Sequence, residues 1–289
     1  MTERNRAPGG IDASTPNVAR IYDYLLGGKD NFAADREAAQ RLIELIPDAA
    51  EIARDNRSFL GRVVRYLATE GGIRQFLDLG SGLPTQANVH ELAQGVAPRA
   101  RVVYVDNDPV VISHGRALLA TGDQVGMVPG DLRDPAGILR HPDVLRLLDF
   151  ARPVAVLCTS TLHFVADQAE PHKIIAEYRD QLAPGSYLAI SHGTREEDPE
   201  GEAGRAESIY RRASAQLHLR PLPEVLRFFD GFELVDPGLT WIAEWRPEPG
   251  TAPAGRRHSM RGGVGRLPLA RPYVIFYGGV TVLTWGFAV

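Results

Sequence analysis

A glycine turn and two aspartates stand where successive strands of a predicted sheet end. "FLDLGSGLPT" carries Gly80 and Gly82 directly after an apolar run, and such glycines let a backbone turn tightly and approach a ligand. "VVYVDNDP" places Asp106 where a carboxylate can accept hydrogen bonds from both hydroxyls of a ribose. Asp131 in "PGDLRD" follows the next strand and could reach an adenine amino group. Together these residues predict a nucleoside site at one edge of the sheet.

Each of these residues also has a purely structural explanation. Strand-to-helix turns use glycine without any ligand, and Asp106 could cap the following helix. Asp108, directly before Pro109, fits that capping role better and leaves Asp106 free. A dinucleotide fingerprint would need a third glycine where this chain has Thr85, which disfavours a nicotinamide-dependent oxidoreductase.

The elements that must position these residues alternate between strand and helix after a helical start. Apolar β-branched runs predict strands at about 74–80, 100–108, 124–128, 153–160 and 186–193, with helices at about 84–94, 109–120 and 171–182. The pattern indicates an α/β fold with a parallel sheet covered on both faces. "FELVDPG" and "LTWIAEW" predict a further strand region, and the segment 246–266 reads as a surface loop. We divide the chain into a flexible N-terminus (1–15), a helical lid (16–70), a core (71–266) and an apolar C-terminal extension (267–289).

Composition narrows the class of protein. The 289 residues carry a net charge of -4, which gives no basis for bulk electrostatic binding to nucleic acid. A single cysteine, Cys158, and an N-terminus without an apolar signal core predict a cytoplasmic protein. Residues 272–289 carry no charge, and Gly278-Gly279 between two β-branched runs favours a β-hairpin there. A membrane anchor or an unstructured extension are the alternatives for this tail.

The motifs "FLDLGSGLPT", "VVYVDNDPVV" and "GDLRD" resemble class I S-adenosylmethionine-dependent methyltransferases. "PNVARIYDYLLGGKDNFAADREAA" narrows the resemblance to an actinobacterial methyltransferase family long described as a domain of unknown function. The resemblance runs from Pro16 to about Glu248, or to Arg266 if "GGVGR" is included. It implies a Rossmann-like, seven-stranded, mostly parallel sheet with an N-terminal helical addition, and S-adenosyl-L-methionine as cofactor.

The resemblance also implies cofactor contacts at the ends of the first three strands. These are Gly80, Ser81 and Gly82 at the methionine end, Asp106 at the ribose, Asn107 beside the adenine, and Asp131 and Leu132 against the adenine. "CTSTLHFVAD" follows the fourth strand, where many methyltransferases place substrate-facing residues, so Thr159 and Ser160 are expected near the cofactor.

Methyl transfer from a sulfonium needs an aligned nucleophile, and a base if that nucleophile carries a proton. His163 after the fourth strand and His192 in the fifth are the candidate bases, and a buried structural histidine is the alternative for each. "TSTLHF" replaces the Asn/Asp-Pro-Pro-aromatic motif of nucleic-acid amino-methyltransferases. With the acidic net charge, this favours a small-molecule or protein substrate and no nucleic acid. No residue spacing indicates a metal site.

The stretch "YLLGGKDNF" between two predicted helices is explained in part as a connector, with glycines ending one helix and Asp or Asn capping the next. That explanation leaves its other polar residues unused. We therefore expect the N-terminal helices to close over the sheet edge, with Tyr24, Lys29 and Asn31 lining the cavity and excluding water. The leading function is a small-molecule methyltransferase, and the alternative is a non-catalytic S-adenosylmethionine-binding regulatory or interaction protein.

Overall fold

The computed structural model describes residues 12–84, 88–119, 122–196, 201–248, 250, 259–269, 272–277 and 280–285. The helices are α1 (Val18–Leu25), α2 (Ala33–Leu45), α3 (Ala49–Thr69), α4 (Val89–Val96), α5 (Pro109–Leu119), α6 (Pro135–Leu139), α7 (Pro142–Leu147), α8 (Pro171–Asp180), α9 (Glu202–Tyr210) and α10 (Leu222–Arg227). The strands are β1 (Gln75–Leu79), β2 (Arg101–Asp106), β3 (Val125–Pro129), β4 (Ala155–Thr159), β5 (Tyr187–Gly193), β6 (Glu233–Leu234), β7 (Thr240–Trp241), β8 (Met260–Arg266), β9 (Pro272–Tyr277) and β10 (Val280–Trp285).

The main sheet has the strand order β3-β2-β1-β4-β5-β8-β6, with β7 also paired to β8. Strands β1 to β5 run parallel, and β8 runs antiparallel to β5. The order reverses between β1 and β4, so their carboxyl ends flank the crevice where open α/β sheets bind ligands. This mostly parallel sheet with helices on both faces confirms the predicted fold class.

The sheet has eight described strands where seven were expected, because the last predicted strand region is split. Leu234 of β6 pairs with Gly265, whereas Thr240 of β7 pairs with Gly262. Between them the chain makes a tight turn around Pro237, which has no N–H to give to a ladder.

The expectation of a surface loop at 246–266 is wrong for its last part, which forms β8. Glycines hid this strand, since glycine weakens a strand pattern. Here they permit close packing. A Cβ on Gly262 would stand 2.7 Å from the Phe59 ring, and one on Gly265 would stand 2.7 Å from Phe232 Cβ.

Side chains that alternate along β1 fill two apolar layers. Leu77 and Leu79 pack towards α6, α7, α8 and α10, whereas Phe76 packs under α3 and α4. Asp78 lies two residues beyond Phe76 and therefore faces the same layer. A carboxylate thus stands in mainly apolar surroundings beneath α3.

The N-terminal helices form a third apolar cluster together with α9. A buried ion pair fixes this cluster to the sheet edge. Arg20 of α1 lies 2.9 Å from the Asp35 carboxylate and 3.7 Å from that of Asp108, and none of the three side chains is more than 4% exposed. The helices that precede β1 are therefore bound directly to the loop that follows β2.

Strands β9 and β10 form a separate antiparallel pair, with Tyr277 opposite Val280 and Pro272 opposite Trp285. This is the hairpin predicted for the tail, although its turn at 278–279 lies outside the described residues, as do 1–11 of the expected flexible N-terminus. Among the described helices, none has both the length and the apolar character to cross a membrane.

Candidate functional site

The turn after β1 requires glycine. Gly80 and Gly82 have φ angles of 72° and 66°, the left-handed region that side chains rarely adopt. The N–H groups of Gly80 and Ser81 both donate to the Val105 carbonyl, at 2.8 and 3.1 Å, which fixes the turn against β2. A Cβ on Gly80 would stand 2.4 Å from Thr161 Cγ2, whereas one on Gly82 would meet open space. Gly80 is thus needed for packing, and Gly82 leaves room beside the turn.

The helix after this turn begins later than expected. We predicted a helix from about Pro84, but α4 begins at Val89. The Asn88 N–H donates to the Glu91 carboxylate at 2.8 Å, which is the reciprocal contact of an N-terminal capping box. Residues 85–87, including Thr85, lie outside the described residues.

Asp106 lies at the end of β2, where the sequence placed it, but its carboxylate is not free. One oxygen accepts from the Gly82 N–H and the other from the Asp108 N–H, both at 2.9 Å. Burial raises the pKa of Asp106, and these two N–H donors lower it. Asp106 therefore ties the glycine turn to β2 and still has lone pairs for a ligand. Asp108 caps α5 through the Val110 N–H, as expected.

Asp78 is a site residue that our sequence analysis passed over. It lines the same cavity as the glycine turn and is 4% exposed. Burial raises its pKa to about 7, while the positive charge of Arg57 on α3 lowers it and Asp106 raises it further. The signal was present in the sequence, since an acid two residues before a strand-end Gly-x-Gly lies in the same crevice.

One cavity of about 720 Å³ joins the sheet edge to the N-terminal helices. All the residues predicted to contact the cofactor line it together: Gly80, Ser81, Gly82, Asp106, Asn107, Asp131, Leu132, Thr159 and Ser160. Asp131 binds Arg133 by paired hydrogen bonds, which lower the pKa of its carboxyl. The Leu132 carbonyl accepts from the Tyr178 hydroxyl at 3.1 Å.

A chain of hydrogen bonds connects the end of β4 to the N-terminal helices. Ser160 has a φ of 55°, and its N–H donates to the Ser191 hydroxyl at 2.9 Å. That hydroxyl donates to Asn56 Oδ1 at 2.5 Å, and Asn56 Nδ2 donates to the Tyr22 hydroxyl at 2.9 Å. The Tyr22 hydroxyl then donates to the Ala53 carbonyl at 3.0 Å. Tyr22 and Asn56 both line the cavity.

The N-terminal helices do line the cavity, but through other residues than expected. Tyr24 accepts from Gln40 at an exposed position, and Lys29 is exposed. Asn31 is buried, but its amide donates to Asp23 and to the Gly28 carbonyl. None of the three predicted residues lies among the described residues that line the cavity. The contacts of Asn31 instead hold the connector between α1 and α2.

His192 lies outside the cavity lining, contrary to expectation. Arg220 can only donate, so His192 Nε2 accepts from Arg220 Nη1 at 3.0 Å, and Nδ1 donates to the Gly193 carbonyl at 2.6 Å. Burial, with smaller contributions from His163 and Arg220, lowers the His192 pKa well below its ordinary value. Both ring nitrogens are therefore engaged, and His192 positions Arg220.

His163 lines the cavity, as predicted, but it is poorly suited to be a base. The Gly193 N–H donates to its Nδ1 at 3.3 Å, so the neutral ring carries its proton on Nε2. Burial and the nearby Arg220 lower the His163 pKa to about 3. Near neutral pH this ring therefore donates a hydrogen bond rather than accepting a proton.

Polar atoms along the cavity wall call for a polar ligand. Ser81 Oγ and Thr161 Oγ1 are buried and have no hydrogen-bond partner among the described residues. Both residues line the cavity beside the glycine turn, near the carboxylates of Asp78 and Asp106. Buried polar groups are normally paired, so these atoms fit a ligand with hydroxyl and amino groups. The described part of the chain contains no cluster of three His, Cys, Asp or Glu side chains that could hold a metal ion.

The S-adenosyl methyltransferase family matches residues 4–268 of this chain. The chain is 45% identical to a proposed methyltransferase from Thermobifida fusca YX, over 90% of this chain and 98% of that one, with a TM-score of 0.85. It is 42% identical to a DUF574 family protein from Streptomyces avermitilis MA-4680, over 89% and 99% of the two chains, also with a TM-score of 0.85.

An O-methyltransferase family protein from Burkholderia thailandensis shares 16% identity over 86% of this chain and 70% of that one, with a TM-score of 0.50, which shows likeness in fold alone. A comparison with curated proteins found no match.

Proposed function

Since the chain belongs to the S-adenosyl methyltransferase family and is an S-adenosylmethionine-dependent methyltransferase, we propose that its methyl acceptor is a small molecule held beneath the N-terminal helices. Membership confirms the family resemblance seen in the sequence. One observation carries the proposal. The cavity at the sheet edge continues under α1, α2 and α3, so the acceptor space is roofed by this chain's own helices.

The residues at the strand ends fit S-adenosylmethionine, which supplies an activated methyl group on a sulfonium when bound. In our proposal the glycine turn, with Ser81, holds the methionine end, and Asp106 binds the ribose hydroxyls. Asn107, Asp131 and Leu132 surround the adenine, and Thr159 and Ser160 close the site from β4. We add Asp78, whose buried carboxylate lies beside the turn and matches a cationic amino group.

We propose that His218, rather than His163 or His192, is the base that takes the proton from the methyl acceptor. His218 lines the cavity and is half-buried, so solvent still reaches it. Its N–H donates to the His163 carbonyl at 2.7 Å, which places it beside the loop after β4. Its ring makes no hydrogen bond to any residue that the structure describes, unlike that of His192. Its ring nitrogens are therefore available to a ligand in the cavity, and imidazole is the side chain that most often serves as a general base.

Labelled methyl transfer tests the proposal. The purified chain is incubated with methyl-labelled S-adenosylmethionine and a small-molecule fraction of an actinobacterial extract. We expect label in the small-molecule fraction, its loss in Asp106→Asn, and no effect of the exposed Asp123→Asn control. His218→Gln should retain S-adenosylhomocysteine binding but transfer at least tenfold more slowly, with a changed pH profile. Label found only in the protein fraction would refute the small-molecule acceptor.

A further inference from the structure

The cavity has two chemically different ends. Its sheet edge carries the polar residues described above. Its other end lies between α1, α2, α3 and α9 and is mainly apolar, lined by Leu25, Leu42, Ile46, Ile52, Phe164 and Tyr210. The ring centroids of Phe164 and Tyr210 lie 5.2 Å apart, so these two rings pack against each other. We name this apolar end the helix chamber.

Most charged side chains that line the cavity lie at the sheet edge, and one, Arg57, lies on α3. In the described lining they are Arg57, Asp78, Asp106, Asp108, Asp131 and Arg133. Helices α1, α2 and α9 and the segment 211–219 contribute no Lys, Arg, Asp or Glu to that lining. Both cationic side chains of the described lining already have an acidic neighbour: Arg133 binds Asp131, and the charge of Arg57 acts on Asp78.

A charged acceptor would therefore lose its hydration in the helix chamber without gaining a partner, which is costly. This cost excludes acceptors that carry a carboxylate, a phosphate or an aliphatic ammonium group. A hydroxyl compound such as a phenol is uncharged and still carries a transferable proton. The polar groups available to orient it are Tyr210, Gln216 and His218, all in the cavity lining. The Tyr22 hydroxyl already both donates and accepts within the protein.

We propose, building on the function above, that the helix chamber binds an uncharged, mainly apolar acceptor with a hydroxyl group, which the enzyme O-methylates. The acceptor oxygen forms a bond to the methyl carbon while the carbon–sulfur bond breaks. The electron pair of that bond stays on sulfur, and the sulfonium becomes a neutral thioether. The hydroxyl proton passes to His218.

Calorimetric titration of the protein saturated with S-adenosylhomocysteine tests the acceptor class without the natural substrate. The probes are 2-naphthol and 2-naphthoate, which share a ring system and differ in charge. We expect 2-naphthol to bind at least tenfold more tightly than 2-naphthoate. Equal or tighter binding of 2-naphthoate would overturn the inference, as would failure of 2-naphthol to bind the loaded protein.

A variant that carries a charge in the helix chamber provides a second test of the proposal. Ile52 is only partly buried, so Ile52→Lys can keep its ammonium group hydrated. This variant should weaken 2-naphthol binding and strengthen 2-naphthoate binding, whereas Leu145→Lys, at a side chain 54% exposed elsewhere, should change neither. An unchanged probe preference in a folded Ile52→Lys protein would contradict the chamber. Loss of S-adenosylhomocysteine binding by the wild-type protein would instead overturn the proposed function itself.

Discussion

Replacing Asp78 with asparagine should abolish a pH-dependent loss of stability that the wild-type chain carries. Burial raises the Asp78 pKa from 3.8 to about 7, because the carboxylate lies in the layer under α3. Between these two values the folded state binds more protons than the unfolded state. The free energy of unfolding therefore falls as pH rises through this window, and the contribution is fully present only below about pH 4.

The magnitude follows from the size of the shift. A rise of about three pKa units corresponds to roughly 4 kcal/mol of stability. This stability is lost as pH rises, at up to about 1.4 kcal/mol per pH unit, and the loss is complete above about pH 7. Asparagine has nearly the same shape and does not titrate. The wild-type unfolding free energy minus that of Asp78→Asn should thus decline by about this amount as pH rises.

Urea unfolding of both proteins at intervals from pH 4.5 to 8 measures this difference. Taking the difference between the two proteins removes the titration of groups that they share. The exposed Asp123→Asn variant is the matched control, and its difference from wild type should be flat. A flat curve for Asp78→Asn as well would refute the burial argument. It would show that a neighbouring cation or water already stabilises the carboxylate.

Four further substitutions test the site's framework. Gly80→Ala should lower the free energy of unfolding by on the order of 3 kcal/mol, because the added Cβ would clash with Thr161. Gly82→Ala has open space around its Cβ and should lower it by only about 1 kcal/mol. Equal losses would show that the clash with Thr161 does not matter. Arg220→Lys should lower the free energy of unfolding by roughly 2–4 kcal/mol, because lysine cannot replace the hydrogen bonds of the buried guanidinium to two backbone carbonyls and two side chains. Denaturant unfolding measures this loss. A value within about 0.5 kcal/mol of wild type, the level of a neutral change, would contradict the prediction. Tyr22→Phe should cost about 1–2 kcal/mol and speed amide exchange in α1, and unchanged exchange would show that the hydroxyl chain does not hold the helix.

Much of the cavity's lining at the sheet edge was predictable because it depends on local chemistry at strand ends. Apolar β-branched runs predicted β1 to β5, and Gly80, Gly82 and Asp106 follow directly on those strands. In a parallel sheet the carboxyl ends meet at one edge, so residues far apart in the chain come together without knowledge of packing. The Gly-rich strand β8 escaped prediction, because only its neighbours Phe59 and Phe232 show why glycine is needed there.

The roles of individual side chains near the edge depended on tertiary partners. His163 and His192 look alike in the sequence, but Arg220, 28 residues beyond His192, donates to His192. Burial, with a smaller contribution from Arg220, lowers the pKa of His163. In the sequence Asp78 looks like an ordinary acidic residue, and only its position under α3 shows that its carboxylate is buried. Asn31 was expected in the cavity, and Asp23 holds it elsewhere.

The sequence by itself thus determined the fold class, the family and the residues that meet at the sheet edge, since these rest on local pattern and on residues adjacent to strand ends. Tertiary structure alone decided which helices roof the cavity and which histidine remains available. It also decided how far each carboxyl departs from its ordinary pKa. Burial and long-range hydrogen bonds set these properties, and both arise only when distant segments pack together.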